Sequence, residues 1–457
     1  MAIKVAESFT TTHDLAKIAL HENCRLRKFS AADRDMPRIT VDVTRHAQPI
    51  LGFGGMFNDA AIYHFMRMHQ AARAAALRSL FDPVSGAGWN LMRISFGSTD
   101  WDRNWDFYTY DDMPKGQRDD GRLSHFSIQK DIRRGHLQII RQAMAINPEL
   151  KIFAAVWGPP AWLKDNDQLI TDGTIPPGNY RLYAKYLCKC VRAYEEAGIP
   201  ILSVSPQNEP LCNDGRKTPQ ALWMDWKPMR DFLLVMGDEF SRGKIKAQIW
   251  AHDHNFCYTK QWVLPLVSDK RVRTVIDAVA WHDYEGDPAE MGALAKKFPG
   301  LPMYHTERAL YTVEGMARII ALFRNGARSH NHWTTIQDEY GAPHQYSGGS
   351  EKTLEPIPEQ KLPALIAPRR CPNRWRRTSG YYISAQLTRF VKRGALCLVS
   401  TATEAAPAHV AFRNPDGTIV IIMANTERLS KRFTIGVGTT AIGCNIPPLA
   451  VKTLILW

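Results

Sequence analysis

The chain has little of what would mark it as membrane-spanning, disulfide-framed or nucleotide-binding. No apolar run reaches the roughly 18 residues that a transmembrane helix needs. Cysteines number eight in 457 residues, at positions 24, 188, 190, 212, 257, 371, 397 and 444. They show no regular spacing and no Cys-x-x-Cys pair, and Cys188 and Cys190 stand two apart in a helical pattern, so they do not face each other. That excludes a disulfide framework and predicts free thiols in a reducing compartment. No glycine-rich pattern follows a strand and opens a helix, which excludes a phosphate-binding loop or a dinucleotide fingerprint. There is no internal repeat and no low-complexity tract. Residues 1–7 lack the apolar centre of a secretion signal, so the chain as written is expected in the cytoplasm, and outside it if a leader has been trimmed away.

What is present is an ordinary globular balance, 45% hydrophobic and 23% charged, long enough to bury a large core without staples. Tryptophan is plentiful at 13 residues. Most should fill the core, and some suit platforms for a ring-shaped ligand. The net charge is +13, and the basic residues are scattered except between Lys361 and Arg393. That segment holds Arg369, Arg370, Arg374, Arg376, Arg377, Arg389 and Lys392. Such a cluster invites a weak contact with an anionic membrane surface or acidic glycan, but a solvated loop is the commoner fate of a basic run. A nucleic-acid partner is not expected, because no aromatic residues interleave with the basic ones to form a reading surface.

Between about residues 50 and 340, short apolar runs alternate with longer helical patterns. The runs fall at 50–53, 89–96, 151–157, 199–205, 244–251, 275–281, 302–306 and 327–336. Helical periodicity occupies 60–80, 127–146, 179–197, 219–241 and 313–324. Eight alternations predict a (β/α)8 barrel, whose strand ends gather on one face. Residues 345–377 read as a Pro- and Arg-rich connection too broken for regular structure, followed by a last barrel helix at 379–391. After 393 the texture becomes that of short strands with turn signals such as Asn414-Pro415-Asp416-Gly417. Residues 38–43 look like one more strand of the same kind. The predicted domains are an N-terminal segment, 1–48, lending strands to a β-sandwich; the barrel, 49–392; and an antiparallel β-sandwich completed by 393–457.

Two carboxylates sit at predicted strand ends. Glu209 ends Ser205-Pro206-Gln207-Asn208-Glu209-Pro210, and Glu307 ends Met303-Tyr304-His305-Thr306-Glu307. Two acids on different strands can flank a glycosidic bond, one protonating the leaving oxygen and the other attacking the anomeric carbon. The plainer readings are a turn carboxylate for Glu209 and, for Glu307, an exposed acid paired with Arg308.

The motifs Gly52-Phe53-Gly54-Gly55-Met56-Phe57-Asn58-Asp59, Met92-Arg93-Ile94-Ser95-Phe96-Gly97-Ser98-Thr99-Asp100, Val156-Trp157-Gly158-Pro159-Pro160-Ala161-Trp162, Gln207-Asn208-Glu209-Pro210, Ala280-Trp281-His282-Asp283-Tyr284 and Thr306-Glu307 follow one another in order. Over residues 38–457 the chain resembles glycoside hydrolase family 30, the family of glucosylceramidases. The resemblance implies a retaining β-glycosidase with Glu209 as acid/base and Glu307 as nucleophile. It also implies that Asp100, Trp157, Asn208, His282, Tyr284 and Trp333 line the sugar pocket. It implies no metal and no cofactor. Its substrate would be a β-glucoside such as glucosylceramide, with β-1,6-glucans, β-xylosides and β-fucosides as alternatives. Two departures bear on the aglycone side: His332-Trp333-Thr334 stands where Asp-Trp-Asn is expected, and Gly341-Ala342-Pro343-His344 where Gly-Gly-Pro-Asn is. A non-catalytic glycan- or lipid-binding protein is the rival of another class, disfavoured because a binder needs neither acid. His252-Asp253-His254 has the look of a metal motif but offers too few ligands for a zinc site, and Asp338-Glu339 reads as a solvated turn.

Overall fold

The structure, a computed structural model, describes residues 3–102, 106–114, 121–171, 173–211, 222–343 and 355–457. Eight short strands form the barrel: Gly52–Gly54, Leu91–Ser95, Lys151–Ala155, Ile201–Ser205, Gln248–Asn255, Ala278–His282, Met303–Glu307 and Ser329–Asn331. The second to the seventh lie in chain order in one six-stranded parallel sheet. The first and eighth pair in parallel with each other. Parallel bridges from Met56 to Arg93 and from Met303 to Ala327 close the ring. Most strand residues are buried, because helices cover the outside and side chains fill the inside.

The interior is layered. Leu91, Phe153, Trp250, Ala278, Ala280 and Tyr304 form an apolar plug, with the Trp250 and Tyr304 rings stacked at 4.2 Å. Strand alternation then carries the next inward positions, Arg93 and His282, one layer up. Polar residues can sit there only because they satisfy one another. Above them Met56, Ala155, Trp157 and Trp333 pack together, with Trp101 against their edge.

Two of the predicted helices are split. Residues 60–80 form Asp59–Arg67 and Gln70–Phe81, because His69 caps the second helix by accepting the Ala72 N–H. Residues 127–146 form Gln129–Arg134 and His136–Ile146, hinged at Gly135, whose φ of 94° suits glycine. The pattern at 219–241 appears as Trp226–Arg242, its first residues lying outside those described. Val313–Arg324 spans the predicted range. Two helices went unread, the short Leu264–Ser268 and Pro288–Lys297, although Asp287 caps the second and Pro288 opens it.

The connection after the eighth strand is more regular than expected. Leu365–Ile366 pairs with Ile336–Gln337 and with Arg376–Arg377 in a small three-stranded sheet. Two-residue strands carry no period, so pairing alone defines them. The helix expected at 379–391 spans Ser379–Thr388. The basic segment is largely engaged with its own chain: Arg376 pairs with Glu359 at 2.8 Å, Arg377 lies over Tyr381, and Arg389 and Arg393 donate to backbone carbonyls.

Both termini build one ten-stranded sheet, mostly antiparallel and folded on its own core of Ile39, Val41, Leu398, Ile421, Phe433, Ile435 and Leu454. Burying each such side chain is worth about 1.5–3 kcal/mol. Arg38–Pro49 is longer than predicted and pairs antiparallel with Leu396–Ala402 but parallel with Lys431–Val437. The N-terminal contribution is also larger: Ala6–Thr12 runs against Ala450–Leu456, and Leu20–Asn23 and Leu26–Lys28 add to it. The sheet packs on the barrel through Gln386, which donates to Thr11 at 2.7 Å and accepts from Thr453 at 2.6 Å. Seven cysteines are free thiols, and Cys212 lies outside the described residues. No helix among the described residues is long and apolar enough to cross a membrane.

Candidate active site

Glu209 and Glu307 meet above the plug. Glu209 follows the fourth barrel strand with φ of 47°, a left-handed conformation that costs a non-glycine residue energy and is held by surrounding bonds. Its N–H donates to the Asp253 carbonyl at 3.1 Å, and the preceding Asn208 N–H to the Val156 carbonyl at 2.7 Å. Glu307 ends the seventh strand and is 5% exposed. One carboxylate oxygen of each lies with a nitrogen of His282 in a triangle no wider than 4.8 Å. Arg308 does not pair with Glu307. It donates to the Asp283 carbonyl and lies over the Tyr284 ring.

The fifth and seventh strands, on either side of the sixth, break register to build this face. Pairing of the fifth and sixth strands skips Asp253, and pairing of the sixth and seventh skips Thr306. Such bulges re-aim side chains. Asp253, at φ of 55°, turns inward and accepts from Arg93 at 2.6 Å, His282 at 3.3 Å and Thr306 at 2.6 Å. The fully buried Arg93 also donates to Glu307 and, at 2.8 Å, to Asn208, and its guanidinium sits 4.9 Å from the Trp157 ring centre.

Of the eight residues read as site residues, all stand around this centre, with different exposures. Tyr284 keeps its ring exposed while its hydroxyl donates to Glu307 at 2.8 Å. The Trp157 and Trp333 rings lie 5.4 Å apart, tilted by 30°. Asp100 is close enough for its charge to help raise the Tyr284 phenol. His282 departs from the expectation of a sugar-lining residue: it is wholly buried, with both ring nitrogens facing carboxylates. Sequence reasoning missed Arg93 and Asp253 as site residues. The available signal was an arginine inside an otherwise apolar buried strand, since arginine is almost never fully buried unpaired.

The electrostatics follow from burial against pairing. Burial disfavours the charged form of Asp253, but Arg93 and His282 outweigh it and hold the carboxyl well below its usual range. Burial also works against His282 as a cation, yet Glu307, Asp253 and Glu209 push it up to about 10. Burial raises Glu209, but the His282 hydrogen bond, with His254 and Arg93, holds it at about 2. Burial raises Glu307, with Glu209 adding to it and His282 and Arg93 opposing. Glu209, His282 and Glu307 have a spacing that could hold a metal ion. Any ion there would compete with the proton that the surrounding carboxylates favour on His282, since a ligating imidazole must be neutral.

The family models match this architecture. Residues 50–318 match the glycosyl hydrolase family 30 TIM-barrel domain and 394–454 the glycosyl hydrolase family 30 beta sandwich domain. The chain belongs to glycosyl hydrolase family 30. It is a glycoside hydrolase. Endo-1,6-beta-D-glucanase neg1 of Aspergillus fumigatus is 26% identical over 417 residues, covering 85% of this chain and 81% of that one. Lysosomal acid glucosylceramidase of Mus musculus is 23% identical, covering 87% and 79%. The solved endo-beta1,6-glucanase BT3312 superposes with a TM-score of 0.85 at 26% identity, covering 98% of this chain and 99% of that one.

Within this family frame the two departures at the end of the barrel can be located. His332 is buried, stacked on Tyr311 at 3.8 Å and edge-on to His330 at 4.4 Å. His344 lies outside the described residues.

Proposed function

We propose that this family 30 enzyme is a retaining β-glycosidase whose substrate is a β-1,6-linked glucan. The reading rests on the Glu209–Glu307 pair, with a carboxylate oxygen of each within 4.8 Å of the other. Retaining enzymes hold their two carboxyl groups about 5–5.5 Å apart, whereas inverting enzymes leave room for a water between them. Glu307, fixed by Arg93 and Tyr284, attacks the anomeric carbon. Glu209, at 22% side-chain exposure the more open of the two, protonates the leaving oxygen and then deprotonates the water that releases the sugar. Trp157 and Trp333 supply the apolar faces of the sugar site, and Asp100 and Asn208 its polar anchors.

The choice of glucan over glucosylceramide is supported by the likeness to BT3312 over almost the full length of both chains. A glucosylceramide substrate is the second reading, favoured by relatives such as Putative glucosylceramidase 2 of Caenorhabditis elegans, 25% identical over 456 residues. Reducing-end release from a β-1,6-glucan, compared with glucose release from glucosylceramide, separates them, with Glu307→Gln as the blank. Turnover of the glucan alone is expected. Turnover of the lipid alone would overturn the substrate assignment but not the reaction. No turnover of any β-glycoside would favour a glycan-binding protein.

A further inference from the structure

His282 lies too deep to touch a sugar, yet it is the centre of charge in the site. It is 0% exposed. Nδ1 lies 3.0 Å from Glu209 Oε1, and Nε2 lies 3.3 Å from Asp253 Oδ1 and 3.7 Å from Glu307 Oε2. A neutral ring would turn a lone pair toward one of these oxygens, which only a protonated carboxyl could meet; against ionised carboxylates the doubly protonated ring alone satisfies both sides. The groups facing it are Arg93 from the second strand, His252, Asp253 and His254 from the fifth, Tyr284 from its own segment, and His305 and Glu307 from the seventh. Glu209 completes the set after the fourth. Burial holds His252, His254 and His305 neutral, so the three carboxylates against Arg93 decide the balance. Against its burial, the His282 hydrogen bond holds Glu209 at about 2, whereas a general acid must carry a proton when the substrate arrives.

We propose that His282 stores the proton that Glu209 delivers. The inference rests on the glycosidase reading. With substrate bound, the Nδ1 proton of His282 crosses to Glu209, leaving a neutral ring whose Nε2–H stays on Asp253. Glu209 then gives that proton to the glycosidic oxygen. The C1–O bond breaks with its electron pair on that oxygen, and Glu307 forms its own bond to C1. In the second half, water attacks C1 and the pair of the C1–Glu307 bond returns to Glu307. The proton lost by water goes to Glu209 and back to His282 Nδ1. Protons and electrons balance over the cycle with no further reactant. His282 acts only through Glu209 and is a positioning residue. Asp253 keeps the ring in the orientation that aims Nδ1 at Glu209, as a buried carboxylate orients an imidazole in hydrolase triads.

The experiment compares wild type and His282→Asn on two aryl β-glucosides, one with a phenyl leaving group that needs acid assistance and one with a 2,4-dinitrophenyl group that does not. The phenyl substrate should lose roughly 10²–10³-fold in kcat/KM, the range of general acid catalysis. The basic limb of its pH profile should move down by two units or more. The dinitrophenyl substrate should lose less than about tenfold by the same principle. Equal losses on both substrates, with the basic limb unmoved, would overturn the proposal. Failure of wild type on the dinitrophenyl substrate would instead count against the glycosidase reading. Independently of turnover, ¹⁵N NMR at pH 8 of histidine-labelled His136→Gln, which lacks the other imidazole that buried carboxylates raise, should show one imidazole carrying protons on both nitrogens. If every imidazole is neutral at that pH, the proposal fails.

Discussion

The Thr306 hydroxyl donates to Asp253 Oδ1 at 2.6 Å, tying together the two residues at which the seventh and fifth barrel strands break register with the sixth between them. Each strand leaves its pleat to aim a side chain into the barrel mouth, and the bond fixes the two deviations to one another. Asp253 thereby reaches both cations of the site, Arg93 and His282, which in turn hold Glu307 and Glu209. Asp253→Asn removes the charge those cations pair with. Breaking a buried pair costs about 3–5 kcal/mol, so the midpoint of urea unfolding should fall and activity should drop by at least about 10²-fold by the same disruption. Thr306→Val removes one hydrogen bond and should cost only about 1 kcal/mol. If the Asp253 variant proves as mild as the Thr306 one, the hub is not where the site is held.

Tyr284→Phe keeps the exposed ring and deletes the bond to Glu307. Among the described residues the hydroxyl is one of two hydrogen-bond donors to that carboxylate, the other being Arg93. Loss of one charge-stabilising donor predicts a fall in kcat of roughly 10–10²-fold with KM changed far less. Steady-state kinetics on an aryl β-glucoside reads this directly. A rise in KM at constant kcat would assign Tyr284 to sugar binding instead.

Trp333 stands against Trp157 at 5.4 Å and edge-on to Trp101 at 5.8 Å. Trp333→Ala should weaken glucan binding by about 1 kcal/mol or more, roughly five- to tenfold in KM, as the lost aromatic contact implies. Trp333→Phe should recover part of it. Isothermal titration of a β-1,6-linked oligosaccharide on the Glu307→Gln background isolates binding from turnover. Unchanged affinity in Trp333→Ala would remove this residue from the sugar site.

Much of this was legible in the sequence because strand ends of a barrel converge whatever lies between them. Alternation alone located Glu209 and Glu307 on one face, and residues 313–324 read as a helix because its apolar stripe is unbroken. Asp253 was not legible: between two histidines it resembled a metal motif, and only a bulge turns it inward. His282 was read as sugar-lining from its motif, since sequence spacing does not reveal that three carboxylates surround it. The helix split at His69 depends on a histidine acting as cap, and the strand at Leu20–Asn23 is exposed along its whole length, so neither leaves a periodic signature.

Burial holds His252, His305 and His330 neutral, and His332 likewise, all well below the ordinary value of 6.5, and brings His254 down to about 4. Folded values below unfolded ones mean that the unfolded chain binds more protons in acid. Their contribution is therefore present above about pH 6.5 and lost as pH falls toward the folded values, at about 1.4 kcal/mol per pH unit for each group. His282, raised to about 10, has the opposite sign: its contribution is present below about pH 6.5 and is lost as pH rises through 10. Urea unfolding should give a lower midpoint at pH 5.5 than at pH 7.5. Equal midpoints would contradict the neutral state of the buried histidines.

The account turns on Glu307 as the nucleophile of a retaining reaction. A 2-deoxy-2-fluoro-β-glucosyl fluoride glycosylates such a nucleophile with loss of fluoride and is hydrolysed from it slowly, so peptide mass spectrometry of the trapped enzyme tests the point directly. The predicted result is a single fluoroglucosyl adduct on Glu307, abolished in Glu307→Gln. An adduct on another carboxylate, or hydrolysis of β-glucosides that yields the inverted anomer with no adduct at all, would contradict it.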